Sequence, residues 1–174
     1  MARAPKSMPR QVGAVSADDF RVAMRQVASP VAIITTAHGG QRAGLTATAI
    51  CSATTDPPTI LVCVNQSART EAVIAASGRM VVNFLTEDQH EIARLFSTSK
   101  IDTEKRFSAG EWIEVATGAP VLKGSLASFD CVVESVTLCG THSVYLGRVE
   151  ALESNDGSPL LYRDGYFRRL GTHF

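Results

Sequence analysis

Hydroxyl side chains gather in one short stretch of this 174-residue chain. Thr46, Thr48 and Ser52 have the same parity in a run of strand character, 45–53, so their hydroxyls would point to one face of an extended backbone. A plain core does not take several hydroxyls without partners for them. Just downstream, "NQSART" puts Ser67, Arg69 and Thr70 at the start of an expected helix. Free backbone N–H groups and the helix dipole favour an anion there, phosphate first. A plainer reading makes Thr46 and Thr48 part of a solvent-facing strand and Ser67 an ordinary helix cap. Pattern alone leaves both readings open.

Other chemistry is sparse. His142, in "GTHS", begins a strand after a turn, and the pattern by itself gives a lone histidine no role. Asp18, Asp19, Glu87 and Asp88 are helix-start carboxylates, and no carboxylate pair is set for acid–base work. The chain has no G-x-S-x-G, no Walker loop and no G-x-G-x-x-G, so a Rossmann dinucleotide site is not expected. Of the cysteines, Cys51, Cys63, Cys131 and Cys139, none forms a C-x-x-C pair or has a histidine at metal spacing. No metal is expected. Three of the four lie in apolar runs, where cysteine acts as a small buried hydrophobe.

The elements that would position these residues are mostly strands. "VAIITT" at 31–36, the run 45–53, "TILVCVN" at 59–65 and "RMVVNFL" at 79–85 are short and β-branched, with turn signals between the first three. "SADDFRVAMRQVA" reads as a helix capped by Ser16, with Phe20, Ala23, Met24 and Val27 as its apolar stripe. A short helix over about 68–76, opened by Ser67 and closed by Gly78, follows the third strand. Thr86-x-x-Gln89 matches a capping box, ahead of a helix burying Ile92, Leu95 and Phe96. Residues 97–118 read mostly as loop around Phe107 and Trp112. In 126–139, Ala127, Phe129, Cys131 and Val133 alternate inward while Val136 and Leu138 take the other parity, which predicts a bulge near Glu134–Ser135. A similar change of phase falls at Gly147. The last strands form a hairpin around Asp164-Gly165.

Many strands without β-α-β alternation exclude a doubly wound sheet and favour a closed antiparallel barrel with peripheral helices. The expected organisation is an arm over residues 1–15 and one domain over 16–174. Lys plus Arg equals Asp plus Glu, 17 against 17, which gives no electrostatic case for nucleic acid or a membrane surface and fits an oligomer. No apolar run reaches the length of a membrane span, and the basic start has no apolar stretch after it, so no secretory signal is read. Reduced thiols then point to the cytoplasm.

Five blocks in order carry a resemblance: "FRVAMRQVASPVAIITT", "GLTATAICSATTDPPTILVCVNQSART", "VVNFL", "PVLKGSLASFDC" and "GTHSVYLGRVEAL". Together they resemble the flavin-reductase-like family with the FMN-binding split-barrel fold, from about Phe20 to Leu170. The chain is most similar to reductase components of two-component flavin monooxygenases and also to flavoprotein corrin reductases. The resemblance implies a six-stranded antiparallel barrel, a homodimer, and FMN, or FAD as the alternative, near the subunit boundary. It implies that Thr46, Ala47, Thr48 and Ala49 contact the ring, that Cys51 and Ser52 lie near the ribityl arm, and that Ser67, Ala68, Arg69 and Thr70 hold the phosphate. Asn83 is expected near the site, and His142 on the nicotinamide side of the ring. Many members have Asn and Ser where this chain has Thr48 and Ala49, which changes the hydrogen bonds offered to the ring. The implied activity is hydride transfer from NADH or NADPH to flavin, with reduced flavin passing to a monooxygenase. The alternatives are reduction of a cobalt corrinoid and a flavin-binding protein without enzymatic activity.

Overall fold

The computed structural model describes residues 13–171. The expected arm therefore lies almost wholly outside the described residues; Gly13, Ala14 and Val15 are exposed and in no helix or strand. In chain order the elements are α1 (Ala17–Met24), β1 (Ser29–Pro30), β2 (Ala32–His38), β3 (Gln41–Ala47), β4 (Ile50–Thr55), β5 (Pro58–Asn65), α2 (Arg69–Ser77), β6 (Arg79–Phe84), α3 (His90–Phe96), α4 (Thr103–Phe107), β7 (Trp112–Glu114), β8 (Pro120–Leu122), β9 (Ala127–Cys139), β10 (His142–Ser154), β11 (Leu161–Arg163) and β12 (Tyr166–Arg168).

The molecule is mainly β. Seven strands form one antiparallel sheet in the order β3-β2-β6-β9-β10-β5-β4. The two edge strands, β3 and β4, are consecutive in the chain and joined only through Thr48 and Ala49. The sheet must therefore curl until its edges meet at that corner. The core says the same: Ile34 of β2, Ile60 and Val62 of β5, Met80 of β6 and Tyr145 of β10 belong to one buried cluster, with Ile74 of α2 among them. No ladder of hydrogen bonds joins β3 to β4. The main sheet is thus a seven-stranded antiparallel sheet whose edge strands are linked by the chain, with small sheets β1-β11-β12 and β7-β8 beside it.

A second cluster explains why residues 31–36 are buried without alternation. Ile33 faces away from Ile34 and packs with Phe96, Phe107, Leu122 and Leu160, so β2 has a core on each face. Phe96, Phe107 and Trp112 pack ring to ring at centroid distances of 4.8–5.5 Å. The loop expected over 97–118 is instead anchored by α4, whose first turn is held by the Asp102 carboxylate accepting the Glu104 N–H at 2.9 Å, and by β7.

Local expectations mostly hold. The bulge sits at Glu134: Leu146 pairs with Ser135 and Gly147 with Val133, so Glu134 is the extra residue and Gly147 marks the phase change. A Cβ on Gly147 would stand 2.6 Å from Met80 Cε and 3.0 Å from Cys131 Cβ, so a larger residue there would have to push the Met80 side chain aside. Both halves of the Thr86–Gln89 capping box are present, though the first turn is 3-10 and the α-helix starts at His90. The Asp164-Gly165 turn has positive φ at both residues, 51° and 83°, as a type I′ hairpin requires. The exception is α1. Ser16 caps it, accepting the Asp19 N–H at 3.1 Å, but none of its residues is buried. Phe20, Met24 and Val27 are 60, 48 and 51% exposed, a stripe that nothing among the described residues covers.

Candidate functional site

A cleft of ≈ 560 Å³ opens beside β3. Its floor is Ala43, Gly44 and Leu45. One wall is Ser67–Thr70 at the start of α2, and the other is the segment from Phe96 to Thr103 with Arg106. Gly44 is what lets the second wall approach: a Cβ there would lie 2.7 Å from Phe96 Cε1. Arg106 ties wall to floor. Its Nε donates to the Ile101 carbonyl at 3.0 Å and a terminal nitrogen to the Gly44 carbonyl at 3.2 Å.

The α2 wall is built by a side chain that sequence reading passed over. Asn65 Oδ1 accepts both the N–H of Ser67 at 2.8 Å and its hydroxyl at 2.7 Å. That turn presents the helix start to the cleft. The N-cap is Ala68, which makes no side-chain cap, so Ser67 does not open the helix as expected. Arg69 and Lys100 face each other's walls of the cleft, and among the described residues neither side chain has a hydrogen-bond or ion-pair partner. Two unpaired cations, hydroxyls and an uncapped helix start suit an anion of the size and charge of a phosphate. Lys100 and Arg106 were missed because 97–106 lacks apolar periodicity. The "DTEKRF" run, an N-cap aspartate before charged helix formers, was the signal for α4.

The remaining expected residues are placed elsewhere. The strand over 45–53 breaks at Thr48–Ala49, so Thr46 and Ser52 belong to different strands and their shared parity has no meaning. The Thr46 hydroxyl donates to the Ala93 carbonyl of α3 at 2.7 Å, and Ala47 is in the core. Thr48 is half-buried and Ala49 exposed at the corner, where the Ala49 carbonyl accepts the Cys63 N–H at 3.0 Å. Cys51 and Ser52 are exposed on β4. None of these six lines the cleft. Cys131 is the one fully buried cysteine, and Cys139 is exposed, against the expectation for apolar runs. Burial pushes the Cys63 thiol up, and the neighbouring Cys139 and Cys51 add to it.

Asn83 lies in the interior. Its Nδ2 donates to the Ile33 carbonyl at 3.0 Å and the Thr35 hydroxyl at 3.2 Å. Its Oδ1 accepts the Leu122 N–H at 2.8 Å and the Ser128 hydroxyl at 2.9 Å. All four amide positions are used in clamping β2, β6, β8 and β9 together, and none is left for a ligand.

His142, half-buried, is the first residue of β10. In register it pairs with Asn65, the residue that shapes the α2 turn. Gln66 reinforces that join, its N–H donating to the Thr141 carbonyl at 3.0 Å. The ring's Nδ1 lies 2.9 Å from the Thr141 hydroxyl. Next to it, Glu71 of α2 accepts hydroxyl bonds from Ser143 at 2.7 Å and Tyr145 at 2.9 Å. Burial, and then Glu71 itself, pushes the Tyr145 hydroxyl up to about 12, so it stays a donor.

A curled antiparallel sheet with an anion-ready cleft at one edge defines a class: a β-fold binder of phosphorylated small molecules. The comparisons make it specific. Residues 24–171 match the flavin reductase like domain, and the chain belongs to that family. It is 43% identical over 143 residues to the FMN reductase (NADH) RutF of Pantoea ananatis, covering 82% of this chain and 75% of that one. It is 41% identical over 163 residues to the RutF of Serratia proteamaculans, covering 93% of each. Among solved structures it is similar to nitrilotriacetate monooxygenase component B from Mycobacterium thermoresistibile. The TM-score is 0.82 at 32% identity, over 88% of this chain and 86% of that one.

Proposed function

We propose that this protein is an NADH-dependent FMN reductase that supplies reduced flavin to a partner monooxygenase. The observation that carries the reading is the pair of unpartnered cations, Arg69 and Lys100, across a cleft that begins at an uncapped helix start. The names of the relatives support FMN over FAD and NADH over NADPH. The name of the monooxygenase component supports the kind of acceptor.

The cleft fits the phosphate end of a flavin: charge, hydroxyls and backbone donors converge there. When bound, the flavin supplies the redox chemistry, taking hydride from the nicotinamide. Ser67, Arg69, Thr70 and Lys100 hold the phosphate. Arg106 fixes the far wall, and the backbone from Thr46 through Ser52 borders the ring. His142 orients the nicotinamide; the Thr141 hydroxyl occupies Nδ1 and leaves Nε2 without a partner among the described residues. Hydride transfer needs no protein acid or base at the ring.

The working unit is a homodimer in the split-barrel arrangement of the family. Val136 and Leu138, 52 and 73% exposed, project from the end of β9 beyond the reach of β6, and the bare stripe of α1 adds Phe20 and Met24. An uncovered apolar strand end with a free edge suits a second copy. Free thiols and helices too short and polar to cross a membrane suit the cytoplasm.

Anaerobic mixing of the protein with NADH and each flavin in turn tests the reading. Loss of the oxidised flavin's visible absorbance is expected with FMN, faster with NADH than with NADPH. No nucleotide oxidation with either flavin would overturn it.

A further inference from the structure

Glu71 is a carboxylate in the first turn of the very helix whose start forms the anion wall. It sits one residue beyond Thr70, in the same first turn that supplies the wall, and a charge there acts on an anion at the helix start. Its bonds from Ser143 and Tyr145 pin α2 to β10. That pin does not need a charge, because both bonds go to one oxygen and an amide oxygen has two lone pairs to accept them, though more weakly. A carboxylate at this place also offsets the helix's positive end, which would otherwise favour the anion.

We propose that Glu71 is an affinity-setting residue: its negative charge weakens the hold of the cleft on the flavin phosphate, so that flavin exchanges as a substrate. The inference rests on reading the cleft as the phosphate end of a flavin site. Arg69 and Lys100 attract the phosphate; Asp102, which also lines the cleft, and Glu71 behind the helix start lower their net effect. The buried tyrosine keeps that carboxylate in place, since its hydroxyl remains protonated across the working pH range. A reductase that hands its flavin to another protein gains from a site that lets go.

The test measures binding of FMN and of riboflavin, which lacks the phosphate, by flavin fluorescence at low and high salt. Glu71→Gln keeps both acceptor bonds and removes the charge. It is expected to bind FMN about three- to tenfold more tightly at low salt, with riboflavin unchanged and the gain shrinking as salt rises. The KM for FMN and kcat should fall together as release slows. Ala72→Lys, at the exposed next position, offsets the same charge without touching the pin, and is expected to shift FMN binding the same way by about twofold. Tyr145→Phe keeps the charge and should not tighten FMN. Unchanged or weaker FMN binding in both charge variants, or equal tightening of FMN and riboflavin, would overturn the inference. Wild-type protein that binds riboflavin as well as FMN would instead sink the phosphate-site reading itself.

Discussion

Asn83→Ala separates the interior from the site. The side chain is completely buried and makes four hydrogen bonds, to Ile33, Thr35, Leu122 and Ser128. Removing it leaves the Leu122 N–H without its acceptor inside the protein, at a cost of about 1–3 kcal/mol. The hydroxyls of Thr35 and Ser128 fare better, because each keeps another bond, to the Pro120 carbonyl and to Ser125 respectively. Their lost bonds and the small void add about 2 kcal/mol. The sum is about 3–5 kcal/mol, which for a domain of this size lowers Tm by roughly 10 °C. Thermal unfolding followed by circular dichroism reads that shift, and FMN titration well below the new Tm reads the site. The expected result is a large loss of stability with flavin affinity changed less than about twofold, because no Asn83 atom is left over for a ligand. A variant that melts within a degree or two of wild type, or one that is folded yet has lost FMN binding, would refute the reasoning.

Arg69→Ala should weaken FMN by about 10- to 100-fold, the worth of a charge-assisted bond, and leave riboflavin unaffected in the same fluorescence titration. Gly44→Ala forces a Cβ to within 2.7 Å of Phe96 and 3.2 Å of the Ile34 carbonyl, so a loss of about 1–3 kcal/mol in urea unfolding is expected, with weaker FMN binding as α3 retreats from the cleft floor. Because the folded Tyr145 pKa, about 12, lies above its ordinary value of 10.0, the protonated hydroxyl favours the folded state. That contribution, about 2–3 kcal/mol at most, is complete below pH 10 and is lost as pH climbs toward 12. Urea unfolding at the two ends of that window should show the loss in wild type and a smaller one in Tyr145→Phe. Leu138→Asp should convert a dimer to monomers in size-exclusion chromatography with light scattering, with the monomer's secondary structure intact.

What the sequence carried was local and periodic. The Ser16 cap, the Thr86–Gln89 box, the Asp164-Gly165 turn and the parity change at Glu134 each depend on a few adjacent residues, and each is where the pattern puts it. The helix start near Ser67–Thr70 was legible too, with its cap one residue later than expected, and it forms one wall of the cleft. The other half depends on partners far away in the chain. Thr46 reads as a site hydroxyl until the Ala93 carbonyl, on a helix 47 residues later, takes it. Asn83 has no site signature in the pattern and was expected near the site only from the resemblance; Leu122 and Ser128 fill its acceptor. Lys100 has no local signature at all and matters only because Gly44 and Arg106 draw its segment onto β3. The stripe on α1 is the reverse case: an amphipathic helix announces that something covers it, and no periodicity says whether that is its own chain or another. Here nothing among the described residues does, and the stripe is therefore part of the surface proposed for a second subunit.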